Sequence, residues 1–313
     1  HSLDSGLRAA SGSFNVFQDG ETASVLDAEG STLTPVDVAA TTLGMPMELP
    51  GLAAAVSAQT VVIADGVDGN IWVIDGGSVS GFIPEEIEPD VSGVPGALSA
   101  VGPDGSVHVV SAQTGTITNI VPKGQVRTSS TQSLEGLAPD ATLQITAVGN
   151  KGVVLDRSTS TLYLPGGATQ VLEGTDLVLQ ESGPASDRVL VASGDALFQV
   201  PIKGGDAKVV PSGASAGNAS RPVMHTGCAY AAWSVSGAFV RDCPNDADDV
   251  EMDVASLQTA EQALFRTNRD VIVLNDIVTG GLWLPDENMV QVDNWDQIAS
   301  QLESEEDEED DSV

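Results

Sequence analysis

Basic residues are scarce in this chain. Twelve Lys and Arg stand against 45 Asp and Glu in 313 residues, a net charge of −33. So few cations exclude a surface that neutralises a row of phosphates, and with it nucleic-acid binding. They equally exclude charge-driven docking on an anionic membrane, so no direct membrane contact is expected in this fragment. Aromatic residues make up only 4% of the chain, a thin supply for the stacking platforms of a sugar-processing site. Three His and two Cys, scattered along the sequence, cannot assemble a zinc site of the usual spacing. A Gly-x-Ser-x-Gly elbow, a P-loop and a dinucleotide fingerprint are all missing. No apolar run reaches the roughly 18–20 residues of a membrane-spanning helix. Helical periodicity is confined to single turns at Gln258–Leu264 and Asp296–Leu302. There is no initiating Met and no leader, so His1 reads as a processing boundary.

What is present is 41% hydrophobic residues and 33 Gly, enough for a large core broken by many turns. The stretch Glu303–Asp311 holds eight of the 45 acids, so the rest of the chain is strongly acidic as well. A block of like charge repels itself, and residues 301–313 read as an acidic, disordered linker. Residues 1–12 read as a lead-in segment or a closing strand, and residues 13–300 as the folded body.

The body repeats. A small turn residue followed by an apolar anchor recurs at Leu33, Ile71, Ile117, Leu162, Leu197, Phe239 and Leu282, at spacings of 38, 46, 45, 35, 42 and 43 residues. A mean near 42 falls within the roughly 40–45 residues of one four-stranded propeller blade. Continuous apolar runs precede each turn, such as Val61–Ala64, Val107–Val110, Val153–Leu155, Val189–Val191 and Val271–Leu274. Such runs suit second strands buried on both faces. Before them lie lighter segments rich in small residues, Gly96–Val101, Ala141–Ile145, Leu177–Gln180 and Ala263–Phe265, suited to the crowded axis of a ring. After the anchors come polar segments, Gln125–Arg127, Thr169–Val171, Ala207–Val210 and Met289–Val292, suited to solvent-facing edges. Asp104-Gly105, Gly166-Gly167, Gly204-Gly205 and Gly280-Gly281 supply hairpin turns. The fold class expected is all-β, a β-propeller of seven four-stranded blades. Rings of six or eight blades and other all-β folds such as a sandwich stay open at this level.

Cys228 and Cys243 are equidistant from the turn Ser234–Gly237. A symmetric hairpin therefore sets them opposite one another, close enough for a disulfide. Such a bond places the chain in an oxidising compartment; two free thiols would instead point to the cytosol. Oxygen-rich loops at Asp65 and Asp68 and at Asp246, Asp248 and Asp249 are candidate calcium sites, although neither has EF-hand spacing and a solvated turn is the plainer reading. No other cofactor is expected. Trp72 and Trp283 hold equivalent repeat positions and read as packing between blades, whereas Trp295, beyond the last strand, reads as an exposed aromatic. His108 and His225 fall in or beside strands and read as packed or hydrogen-bonded.

The segments Gly227–Trp233, Arg241–Cys243, Leu274–Asp276, Thr279–Trp283 and Val292–Trp295 together resemble the propeller region of large actinobacterial cell-surface proteins. Those proteins have a membrane anchor, a propeller and a long array of immunoglobulin-like or fibronectin type III repeats. The resemblance spans nearly the whole chain and carries over no catalytic residues. It implies an extracellular, cell-surface module, anchored through a segment absent from this fragment and joined to downstream domains of the same chain. The function expected is non-catalytic: interaction, adhesion or spacing, with a protein or neutral-glycan ligand. The alternatives are a secreted propeller enzyme, a lyase or glycoside hydrolase, and an intracellular scaffold.

Overall fold

The computed structural model describes residues 14–19, 22–27, 31–37, 42–49, 52–57, 59–75, 82–123, 126–213 and 217–292. The chain forms seven antiparallel sheets arranged as a seven-bladed β-propeller. Blade 3 is representative: Leu98–Val101, Val107–Ser111, Thr116–Lys123 and Val126–Ser133 pair in sequence order from axis to rim. Among the described residues blade 2 has three strands, Leu52–Ser57, Thr60–Asp65 and Asn70–Asp75, with an isolated bridge between Ile71 and Val91 on its outer side. Blade 6 splits its innermost strand into Asn218–Ala219 and Val223–His225 around Ser220, Arg221 and Pro222; both pieces pair with Cys228–Ser234.

Each sheet packs on two neighbours, so its middle strands must be apolar on both faces. Val189, Leu190, Val191 and Ala192 in the second strand of blade 5 are all fully buried. Burying one such side chain stabilises by about 1.5–3 kcal/mol. Six apolar clusters join blades 1–2, 2–3, 3–4, 4–5, 5–6 and 6–7 in turn. All seven anchors lie on third strands. Six are buried, but Leu282 is only half-buried while its neighbour Trp283 is 1% exposed. The reason is strand alternation. Trp283, Ile272 and Leu274 face blade 6, whereas Leu282 and Val271 face the seam with blade 1. No cluster of the described residues spans that seam, and Val271 there is 60% exposed.

Blade 7 draws its four strands from Ala263–Asn268, Val271–Asp276, Leu282–Leu284 and Val290–Val292, and blade 1 begins at Phe14–Asp19. Among the described residues blades 1 and 7 thus each take their strands from one contiguous stretch. The closing-strand role considered for residues 1–12, the linker at 301–313, Trp295 and the helical turn at Asp296–Leu302 all lie outside the described residues. The helical turn expected at Gln258–Leu264 is corrected. A 3-10 turn at Ala255–Thr259 ends four residues before the innermost strand of blade 7, because Leu257 and Ala263 are both drawn into the blade 6–7 core.

One local signature recurs at the turn between second and third strands: Asp65-Gly-Val-Asp-Gly69, Ser111-Ala-Gln-Thr-Gly115, Asp156-Arg-Ser-Thr-Ser160 and Asp276-Ile-Val-Thr-Gly280. The fifth residue takes a positive φ, 71°, 62°, 56° and 76° respectively, and in the three turns that open on Asp the first side chain caps the turn. Asp65 Oδ1 accepts from the amides of Val67 at 2.8 Å and Asp68 at 3.1 Å. Asp156 accepts from the Ser158 amide at 2.8 Å and the Thr159 hydroxyl at 2.7 Å.

Asp276 is the most deeply committed of these carboxylates. It accepts from the amides of Glu261, Gln262 and Val278 at 3.1, 2.9 and 3.2 Å and from the Thr279 hydroxyl. Burial alone would raise its pKa, but these four donors outweigh burial and hold it below the ordinary carboxylate value. The Asp276→Asn substitution should destabilise the protein by about 2 kcal/mol at neutral pH. The contribution of a depressed carboxylate is complete above its unfolded pKa, near 4, and is lost as pH falls through the folded value. Urea unfolding at decreasing pH should therefore show the gap between parent and variant narrowing below about pH 4.

Candidate functional site

The innermost strands converge on an axial cavity of about 1580 Å3 lined by residues from all seven blades. Its walls differ in chemistry. On the side of blades 2–4 the lining is mostly small and apolar, including Ala54, Ala55, Val56, Ala100, Val101 and Ile145, with Asp75 of blade 2 beside them. This matches the light, small-residue composition of the first strands. On the side of blades 5–7 the lining includes Glu181, Arg221, His225, Arg266, Arg269 and Asp270.

Arg221 occupies the break in the innermost strand of blade 6. Its Nε donates to the Leu179 carbonyl at 3.1 Å, and Nη2 donates to the carbonyls of Gln180 at 2.9 Å and Ile145 at 3.5 Å. Its Nη1 lies 3.4 Å from Glu181 Oε2. The Glu181 amide in turn donates to the Pro222 carbonyl at 3.0 Å. One guanidinium thus ties blades 4, 5 and 6 together at the axis. Backbone groups that a continuous strand would have paired are satisfied here by side chains: Gln144 Oε1 accepts from the Leu179 amide, and Gln180 Oε1 from the Leu190 amide, both at 2.7 Å.

Arg266, on the innermost strand of blade 7, is half-buried; burial lowers its pKa, and the nearby charge of Glu181 opposes that shift. Glu181 therefore sits in the field of two guanidiniums. Arg269 is exposed, at the tip of the hairpin between the first two strands of blade 7, with φ 54°. His225 is 5% exposed, and its Nε2 has no hydrogen-bond partner. Its ring stands edge-on to Tyr230 at 6.3 Å. Tyr230 donates to Asp286 Oδ1 at 2.6 Å. Burial and that carboxylate push its pKa up to about 12, so the phenol stays protonated.

Cys228 and Cys243 form a disulfide with a Cα separation of 4.2 Å, across the hairpin of blade 6 that adjoins His225. The registers Ala229 with Asp242 and Ala232 with Phe239 place the two Cys opposite each other, as the symmetric reading required. The candidate calcium residues lie in two separate loops. Asp65 caps its own turn through the bonds to Val67 and Asp68. Asp248 Oδ2 accepts from Asn245 Nδ2 at 2.9 Å, Asp249 Oδ1 accepts from the Cys243 amide at 2.7 Å, and Asp246 opens a 3-10 turn capped by Asn245. Among the described residues no group of three or more His, Cys, Asp or Glu is placed to hold a metal ion. Trp72 packs between blades 1 and 2 and Trp283 between blades 6 and 7, as equivalent repeat positions implied. The buried Trp233 donates to the Ser193 carbonyl at 2.7 Å. His108 is buried, with Nδ1 2.7 Å from Asn119 Oδ1; burial lowers its pKa, the Asn119 bond and the charge of Asp104 acting the other way.

Reading the sequence did not single out Glu181, Arg221, Arg266 or Arg269. The signal that was available is the scarcity of bases: an Arg in a small-residue first strand stands out in a chain with only 12 Lys and Arg.

No family model matches the chain, and no curated protein matches it. Solved structures do. A catalytically inactive virginiamycin B lyase from Staphylococcus aureus with quinupristin is 13% identical, with a TM-score of 0.59 over 87% of this chain and 94% of that one. Apo AztD from Citrobacter koseri is 12% identical, with a TM-score of 0.53 over 77% and 71%. The dihydro-heme d1 dehydrogenase NirN in complex with DHE is 12% identical, with a TM-score of 0.53 over 84% and 60%. Identities this low establish the propeller fold and carry nothing about the site.

Two outcomes follow from these bonds. Arg221→Gln strips donors from the Leu179 and Gln180 carbonyls and should cost about 2–3 kcal/mol in urea unfolding. Thiol titration in denaturant without reductant should find no free thiol, and replacing both Cys by Ser should cost about 3 kcal/mol for the 15-residue loop.

Proposed function

We propose that this chain is a non-catalytic interaction module of a larger extracellular surface protein, with the mouth of the axial cavity as its binding face. The observation that carries the reading is the use made of the polar groups at the axis. Arg221, Gln144 and Ser182 are engaged with backbone groups of neighbouring blades and Gln180 with backbone of its own blade, so they hold the ring rigid rather than standing ready for chemistry. A rigid mouth presents a fixed surface, which lowers the ordering cost of binding. The disulfide supports an oxidising compartment. The strongly negative body favours a protein or neutral-glycan partner over an anionic wall polymer. An anchoring segment and downstream repeats belong to the same proposal.

A secreted lyase or hydrolase is the second reading. It is favoured by one feature, the buried His225 with an unpartnered Nε2 on the cavity wall. Incubating purified protein with lyase and hydrolase substrate panels, in parallel with binding to isolated cell-surface fractions, separates the two. Saturable binding with no product formed is the expected result. Turnover that disappears in His225→Gln would overturn the non-catalytic reading.

A further inference from the structure

A second cavity, of about 140 Å3, lies between blades 3 and 4, away from the axis. Its walls are the third and fourth strands of blade 3 and the second and third strands of blade 4. The lining combines apolar Ile117, Leu134 and Leu164 with polar Asn119, Gln132 and Tyr163. Gly152 adds no side chain to it; a Cβ there would fall 2.8 Å from the His108 ring, which Asn119 holds in place. Tyr163 is 5% exposed, and no described residue bonds its hydroxyl. Asn119 engages His108 through Oδ1, at 2.7 Å, and its Nδ2 has no partner among the described residues. The same holds for the side-chain amide of Gln132, which reaches from the rim strand of blade 3 toward Gly167 of blade 4. We propose that this cavity binds a single neutral sugar ring, whose hydroxyls meet Tyr163, Gln132 and Asn119. The site is separate from the axial mouth, so the inference goes beyond the interaction-module reading and does not rest on it.

Size comes first: a cavity of about 150 Å3 takes one benzene-sized ring. Charge then excludes ions of either sign. Lys151 is exposed at the rim and repels a cation. Burial and the charge of Asp156 both raise the pKa of Tyr163, which keeps the phenol protonated, and the same Asp156 charge opposes an anion. A purely apolar guest would strip water from the phenol and two carboxamides and leave them unpaired, which is costly. A polyol ring avoids all three penalties. Each of its hydroxyls both donates and accepts, as a phenol and a carboxamide also do between their atoms. The C–H faces of the ring suit Ile117, Leu134 and Leu164. Tyr163 takes part through its hydroxyl and not as a stacking platform, so the low aromatic content of the chain is no obstacle.

The test is an NMR titration of the intact chain with methyl β-D-glucopyranoside, methyl β-D-galactopyranoside and methyl α-D-mannopyranoside. Cyclohexanol, glucuronate and glucosamine serve as apolar, anionic and cationic comparisons. At least one glycoside should bind saturably, and cyclohexanol should bind about tenfold more weakly or worse. Tyr163→Phe removes only the unbonded hydroxyl. It should weaken that glycoside about tenfold, yet leave urea unfolding of the free protein unchanged or shifted to higher urea, which a merely structural hydroxyl would not do. Gln132→Ala should weaken the glycoside in the same direction and serves as the second variant. Arg269→Asn, at the axial mouth, should leave glycoside affinity unchanged. The proposal is overturned by no saturable binding of any glycoside, by cyclohexanol binding as tightly, or by glucuronate or glucosamine binding more tightly. It is equally overturned by affinity that survives in both Tyr163→Phe and Gln132→Ala, or that is lost in Arg269→Asn, which would move the sugar to the axis. None of these failures touches the non-catalytic reading, which falls only on turnover.

Discussion

Burial of both faces of every middle strand is the constraint on which the rest of this structure depends. A blade is a small sheet that cannot exclude water from either surface alone, and stability comes only when each is pressed between two others. The second and third strands must then be apolar at consecutive positions, as Val189–Ala192 and Leu197–Phe198 are in blade 5. First strands converge on the axis and must be light, and fourth strands reach solvent and can be polar. Six of the seven junctions are filled by apolar clusters of the described residues. At the seam between blades 7 and 1 the alternation of each strand continues, which leaves Leu282 and Val271 less covered than their counterparts.

The same architecture governs the charges. Acidic residues are concentrated in turns, where Asp65, Asp156 and Asp276 cap backbone amides and determine the geometry between second and third strands. Of the candidate calcium residues, Asp65 and Asp249 accept from backbone amides. A carboxylate that accepts from local amides and one that ligates a cation look alike in a linear chain. At the axis both signs meet: Arg221, Arg266 and Arg269 line the cavity with Asp37, Asp75, Glu181 and Asp270. The innermost strand of blade 6 is broken around Arg221, whose guanidinium donates to backbone carbonyls of blades 4 and 5. Together with Arg266 and Glu181, Arg221 gives the cavity a polar wall opposite an apolar one.

The repeat, the seven blades, the order of light, apolar and polar strands within each blade, and the disulfide were legible in the sequence alone. All are properties of local pattern: strand period, turn residues and the symmetry of one hairpin about Ser234–Gly237. The capping role of Asp65, Asp156 and Asp276 was not singled out in the sequence; it became plain only with the amides of Val67, Ser158 and Val278 in place. The axial cluster was not legible. Glu181, Arg221 and Arg266 lie some forty to eighty-five positions apart, on three different blades, and nothing in their neighbourhoods marks them as partners. Only ring closure, which bends the first strands of distant blades toward one axis, decides which side chains share the cavity. The same closure leaves Nε2 of His225 buried without a partner. Short-range pattern thus specified the blades, and the charge and shape of the cavity followed from how seven of them meet.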